Sequence, residues 1–399
     1  MPDQEPLHNG SHRALLHRAT PPVANADRLD AIIVPTARTA PYLRESIRLA
    51  RALRCVLLVL CSGMSRTRKV TALIASEGAD LEFVVVDLPD SPPAKLPRFE
   101  TCSMLEHTRF HRRTDTSRKR NIGLAIARMV GWRRVLFLDD DILIPDATDV
   151  RRVVGLLGRY DSVGLRIGGY PDNSVVCHAH RASGGFQDTF VGGGALAVSH
   201  RRYGSFFPNI YNEDWFFLLD EQGLPPVAEA GQAFQQPYDP FADPERARGQ
   251  ELGDDLAEGI FALLDGHGKI DDATLGYWRG FLRRRRALIA DIIRRVDAMP
   301  VEDGERNRMI ASLKAARGRA EHITAELCVE YINAWRRDTS AWSTMVDRLP
   351  SVGIAEALEV LGLHDHAVGL VARPVLGQRG RTRLNGRARY ARRPVPAGS

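Results

Sequence analysis

Val135-Leu136-Phe137-Leu138-Asp139-Asp140-Asp141 decides the fold. Four apolar residues in a row read as a strand buried on both faces, and the acids after them stand at its carboxyl end, where open α/β sheets place their ligands. Three adjacent carboxylates repel one another. A hard cation such as Mn²⁺ or Mg²⁺ removes that cost, held by one or two carboxylates and completing its shell with phosphate oxygens. Alternation along an extended chain aims Asp139 and Asp141 to one side and Asp140 to the other. The plainer alternative is a solvated acidic turn in which Asp139 caps the next segment of the chain.

Outward from this strand, β-rich apolar runs alternate with amphipathic segments, the pattern of a largely parallel sheet covered by helices. Strands are expected near 31–34, 56–60, 81–86 and 134–138, with helices through 42–53, 69–76, 118–130 and 150–157. Shorter strands are expected near 162–167 and 174–177, and Gly131 stands where a helix C-cap belongs. After Pro244 the spacing becomes helical over 245–264, 273–296, 305–338 and 339–361. The chain therefore divides into a disordered segment (1–27), an α/β domain (28–243), a helical region (244–370) and a disordered basic tail (371–399).

The 399 residues are 44% hydrophobic and 26% charged, a globular composition with a formal charge of +6. Eight arginines and no acid fall between Arg373 and Ser399, and without them the balance is −2. The basic character thus belongs to the tail, which argues against a nucleic-acid groove in the folded body. Five widely spaced cysteines with no zinc-ligand spacing read as reduced thiols of a cytoplasmic protein. No apolar run is long enough to cross a bilayer, so any membrane contact would be peripheral.

Just upstream of the acidic strand, Arg118-Lys119-Arg120 puts three cations in the first turn of a helix, where the macrodipole disfavours positive charge. A bound anion would resolve the conflict: Lys119 or Arg120 would meet a diphosphate, and Asn121 would bond sugar or ribose hydroxyls. Solvated surface residues are the alternative, and Arg118 fits it better. His107 and His111 sit among arginines and read as a basic face. His178 and His180 would share one face of a strand and either line a pocket or face water. The first strand runs into Pro35-Thr36-Ala37-Arg38, not G-x-G-x-x-G, which excludes a dinucleotide-binding dehydrogenase.

Arg120-Asn121-Ile122-Gly123-Leu124-Ala125, followed at the next strand by Leu136-Phe137-Leu138-Asp139-Asp140-Asp141, resembles glycosyltransferase family 2 and related GT-A enzymes. The resemblance covers about 29–219. It implies a GT-A-like, Rossmann-like mixed sheet flanked by helices, here with a helical C-terminal region. Asp139-Asp140-Asp141 corresponds to the DxD motif, with Asp139 and Asp141 on the divalent cation and Asp140 toward the donor. Pro35, Thr36 and Arg38 end the strand that touches the nucleotide base. Gly192-Gly193-Gly194 resembles the glycine-rich stretch beside the acceptor, from which Gly193 and Gly194 are candidate contacts, and Glu213-Asp214 resembles the Glu-Asp motif containing the base. His267 is a candidate further metal ligand. The chain departs from the family at Cys61-Ser62-Gly63, where many members place a base-binding Asp, and at Trp215-Phe216-Phe217, which replaces a cationic region.

The implied activity is metal-dependent transfer of a sugar from a nucleotide-diphosphate sugar to an unidentified hydroxyl acceptor. An inverting displacement is expected, with Asp214 as base and Glu213 orienting the acceptor or tuning its neighbour, while a retaining outcome stays open. The rival readings are a nucleotidyltransferase acting on sugar phosphates, whose glycine-rich basic loop is missing after the first strand, and a non-catalytic polyanion-binding protein using the tail.

Overall fold

The computed structural model describes residues 8–19, 28–77, 80–170, 173–372 and 381–385. The chain opens with a short strand, β1 (His17–Arg18), then β2 (Ala31–Thr36), α1 (Arg44–Leu53), β3 (Val56–Cys61), α2 (Thr67–Glu77) and β4 (Phe83–Asp87). A single turn, α3 (Glu100–Ser103), precedes α4 (Thr116–Val130), β5 (Arg134–Leu138), β6 (Ile142–Leu143), α5 (Ala147–Leu156) and β7 (Ser162–Gly169). There follow α6 (Val175–Ala182), β8 (Ala195–Ser199), α7 (Glu213–Leu218) and β9 (Val227–Gln235). The remainder is α8 (Pro244–Asp265), α9 (Leu275–Asp297), α10 (Asp303–Ala320), α11 (Ala325–Arg348), α12 (Ile354–Val360), β10 (Ala367–Ala372) and β11 (Arg381–Asn385).

One mixed sheet runs β1-β9-β7-β8-β5-β2-β3-β4-β10-β11, with β6 paired to β9. Strands β5, β2, β3 and β4 are mutually parallel, and β8 is inserted antiparallel between β5 and β7. Both faces are covered, which explains the uninterrupted apolar runs. Ile33, Leu58, Val84 and Phe137 pack on one side against α4, α8 and α11, while Ile32, Leu57, Val85 and Leu136 pack on the other against α1, α2 and α5. This is the expected α/β class with a helical C-terminal region. The register pairs Ile33 with Phe137, so the ends of β2 and β5 emerge at the same edge. There Thr36 Oγ1 donates to Asp140 at 2.6 Å.

Helix α4 lies against this edge because Gly123 lets it approach: a Cβ there would stand 2.7 Å from Ile33. The helix stops at Gly131, which takes the left-handed conformation (φ 77°) expected of a C-cap. The helical region shares the main core with the sheet. Trp342 Nε1 donates to the Tyr203 carbonyl at 2.9 Å, and the Asp338 carboxylate caps α3 by accepting from the backbone N–H groups of Glu100 and Thr101 at 2.7 and 2.8 Å.

Several expectations need correction. Residues 174–177 begin a helix, α6, because Ser174 Oγ accepts from the Cys177 N–H as an N-cap; His178 and His180 therefore lie on a helix. The helical run expected over 305–338 breaks between α10 and α11, where Thr324 caps the new helix, and α11 continues to Arg348. Of the segment expected to be disordered, residues 8–19 are placed: β1 pairs with β9, and His12 is buried. Of the tail, β10 ends within it and β11 lies inside it; residues 373–380 and 386–399, like 1–7 and 20–27, fall outside the described residues. Among the described residues no helix is long and apolar enough to cross a membrane. All five cysteines are free.

Candidate active site

The end of β5 delivers Asp139 into a cavity of about 470 Å³ at the carboxyl edge of the parallel strands. Its backbone N–H is fixed by the Gly194 carbonyl at 2.9 Å, so the glycine turn before β8 sets where the acid stands. Arg120, buried in the first turns of α4, reaches the Asp139 carboxylate with Nη2 at 2.9 and 3.1 Å and Glu213 Oε1 with Nη1 at 2.9 Å. One guanidinium therefore joins the strand-end acid to the Glu-Asp pair that opens α7. Glu213 also takes Arg112 Nη1 at 3.1 Å. Asp214 differs from its neighbour in meeting backbone donors, the N–H groups of Gly193 and Trp215.

Arg38 does for the next two acids what Arg120 does for the first. Its Nη1 lies 2.6 Å from Asp140 and 2.8 Å from Asp141. Burial pushes the Asp139 carboxyl up to about 6, with Asp141 and Asp140 adding to the effect and Arg120 opposing it. Asp214 is also raised, first by burial and then by Glu213, against Arg120 and the two N–H donors. The cavity lining holds six acids (Asp139, Asp188, Glu213, Asp214, Asp254, Glu258) against four arginines (Arg38, Arg112, Arg120, Arg246) and His12. It thus carries an excess of negative charge.

No family model matches the chain, and no curated protein matches it. A solved structure of the mannosyltransferase PcManGT from Pyrobaculum calidifontis, in complex with GDP-Man and Mn²⁺, is similar at 15% identity. It has a TM-score of 0.42, over 85% of this chain and 90% of that one.

Of the residues singled out in the sequence, Arg38, Arg120, Asp139, Gly194, Glu213 and Asp214 line one cavity. Others do not. Lys119 is buried, and its ammonium is held by the Thr36 carbonyl (2.8 Å), Ser62 Oγ (2.7 Å) and Asp115 (2.8 Å); it staples α4 to the ends of β2 and β3. Asn121 exchanges two 2.8 Å hydrogen bonds with the backbone of Phe207, so its amide is used inside the protein. The cations at the start of α4 find their anions in Asp115, Asp139 and Glu213. Pro35 is buried in β2, Thr36 donates to Asp140, and Gly193 and Asp141 are not in the lining, Asp141 meeting it through Arg38. His267 is exposed in a left-handed turn after α8 and is not in the lining. Among the described residues no group of three or more His, Cys, Asp or Glu side chains is set to hold a metal ion.

Several lining residues were not singled out. The N-terminal segment contributes Ser11 and His12; His12 bonds Glu258 at 3.0 Å and Asp265 at 3.2 Å. Helix α8 contributes Asp254 and Glu258. Asp254 is tied to Asn212 at 3.1 Å and, with Glu251 and Asp255, to the buried Arg285. Glu251, Asp255 and Glu258 recur at helical spacing between Gly249, Gly253 and Gly259, a stripe that marks a buried acidic face. Nothing in residues 8–12 signals that they cover a cavity.

Proposed function

We propose that this chain is a nucleotide-sugar-dependent glycosyltransferase that moves a sugar to a hydroxyl acceptor with divalent-cation assistance. The observation that carries the reading is that the strand-end acid Asp139 and the Glu213-Asp214 pair open into one cavity, where Arg120 bonds both Asp139 and Glu213. The residues fit a hard cation in chemistry: the carboxylates are oxygen donors, the lining is negative, and Mg²⁺ or Mn²⁺ is commonly held by one or two carboxylates together with substrate phosphates. Asp139, which lines the cavity, would hold it, joined by Asp141 once Arg38 leaves that carboxylate. When bound, the cation supplies positive charge to the departing diphosphate.

Arg120, which lines the cavity, favours the same end for the diphosphate by its positive charge. Arg38, whose side chain is 43% exposed, would meet the donor by releasing Asp140 and Asp141. Asp214 is the base. Glu213 is pinned by two arginines, whereas Asp214 carries no arginine of its own and its raised affinity for protons suits it to accept one from an attacking hydroxyl. The reaction is an inverting displacement. Glu213 holds Arg120 and Arg112 in place.

A thermal-shift panel of nucleoside diphosphates and nucleotide sugars, with and without Mn²⁺, tests the assignment. Stabilisation by at least one of them that requires Mn²⁺ is expected; none with any of them contradicts it. Asp214→Asn should leave that stabilisation intact and slow transfer by about 10²–10⁴-fold in single-turnover assays, the usual worth of a general base.

A further inference from the structure

The cavity wall built by the N-terminal segment, α6, the loop before β8 and α8 differs from the wall around Arg120. Its carboxylates are Asp188, Asp254 and Glu258. Against them stand His12, whose charge is committed to Glu258 and Asp265, and Arg246, whose guanidinium lies 4.2 Å over the ring of Tyr238. Arg13 meets Asp188 and Arg285 meets Asp254, but Arg13 is shared with Glu229 and Arg285 with Glu251 and Asp255, so the acids still outnumber the cations. A phosphate arriving here would meet more negative than positive charge in a partly dry space, where repulsion is strong. A hydroxyl would not. Sugar hydroxyls donate to carboxylates and accept from amides, and Asn173 supplies a buried Nδ2–H with no partner. Beside the base, Trp215 and Phe190 line the cavity with their rings edge to face at 5.2 Å, offering apolar surface to the C–H face of a sugar ring.

We propose that the acceptor is an uncharged or amino-bearing glycan seated against Trp215, Asn173, Asp188 and Glu258, and not a phosphate-bearing lipid or sugar phosphate. This rests on the glycosyltransferase reading of the site. In the transfer, the glycan's hydroxyl oxygen forms the new bond to the anomeric carbon. The bond from that carbon to the diphosphate oxygen breaks, the diphosphate leaves with the electron pair, and the hydroxyl proton passes to Asp214.

The full chain, with Mn²⁺ and whichever of GDP or UDP stabilises it more, is applied to an array of neutral, amino-bearing and phosphorylated glycans, with farnesyl phosphate titrated separately. Binding confined to neutral or amino-bearing glycans is expected. The best of them, measured by calorimetry, should bind Asn173→Leu at least fivefold more weakly, with GDP or UDP affinity unchanged. Trp215→Ala should lose glycan binding altogether, but Trp215 also packs on Phe261, so Asn173→Leu is the variant that decides. Preference for phosphorylated glycans or farnesyl phosphate, or no glycan bound, overturns the acceptor assignment while leaving the donor reading standing. Glycan binding without any nucleotide effect leaves a glycan site but removes the transferase reading, and the acceptor role with it.

Discussion

His12 ties the start of the chain to α8. Burial works against its charged form, but the hydrogen bond and charge of Glu258, followed by those of Asp265, outweigh it, and its proton affinity is raised. Asn9, Trp215 and Phe261 complete its surroundings. Because the folded value lies above the ordinary 6.5, the stability it contributes is fully present below pH 6.5 and is lost as pH rises through the folded value. His12→Gln should therefore cost about 1.5–3 kcal/mol at pH 6, the worth of charged hydrogen bonds, and less at pH 9. Chemical denaturation at the two pH values measures this; an equal cost at both contradicts it. Lys119 and Asn121 differ from His12 in having been visible as candidates. The conflict between cations and helix dipole was legible in the sequence, but its resolution by Asp115, Asp139 and Glu213 depends on distant residues that only folding brings together.

Among the elements, the glycine turn before β8 is the most exacting. A Cβ on Gly193 would stand 2.7 Å from Arg120 Nη1, and that guanidinium is fixed between two carboxylates. Gly193→Ala should accordingly cost about 1–3 kcal/mol of stability. It should also weaken nucleoside diphosphate binding about tenfold or more, read by calorimetry; unchanged affinity would show that Arg120 does not face the donor. Strands β2 to β5 and helices α1, α2 and α4 were legible because burial on both faces leaves β2, β3 and β5 with continuous apolar runs and α4 ends on a C-cap glycine. Residues 174–177 misled because Val175-Val176-Cys177 is β-rich by composition, while the Ser174 cap and packing against α8, α9 and α10 make it helical.

In the whole molecule, sheet and helical region form one core. Phe137 and Phe217 on the α/β side belong to the same apolar cluster as Trp278, Trp335 and Trp342 from α9 and α11. Truncation after residue 243 should therefore leave no cooperatively folded protein, and the intact chain should melt in a single calorimetric transition; a stable 1–243 fragment would contradict this. The spacing after Pro244 announced helices but not where they pack; in the fold α8 places Asp254 and Glu258 at the cavity. In the proposed reaction Asp139 would hold the cation that meets the donor diphosphate. Isothermal titration of GDP and UDP, with and without Mn²⁺, into wild type and Asp139→Asn measures it directly. Mn²⁺-dependent binding in wild type that falls by about tenfold or more in the variant, at least about 1.4 kcal/mol, is predicted; equal affinity in the two proteins would contradict it.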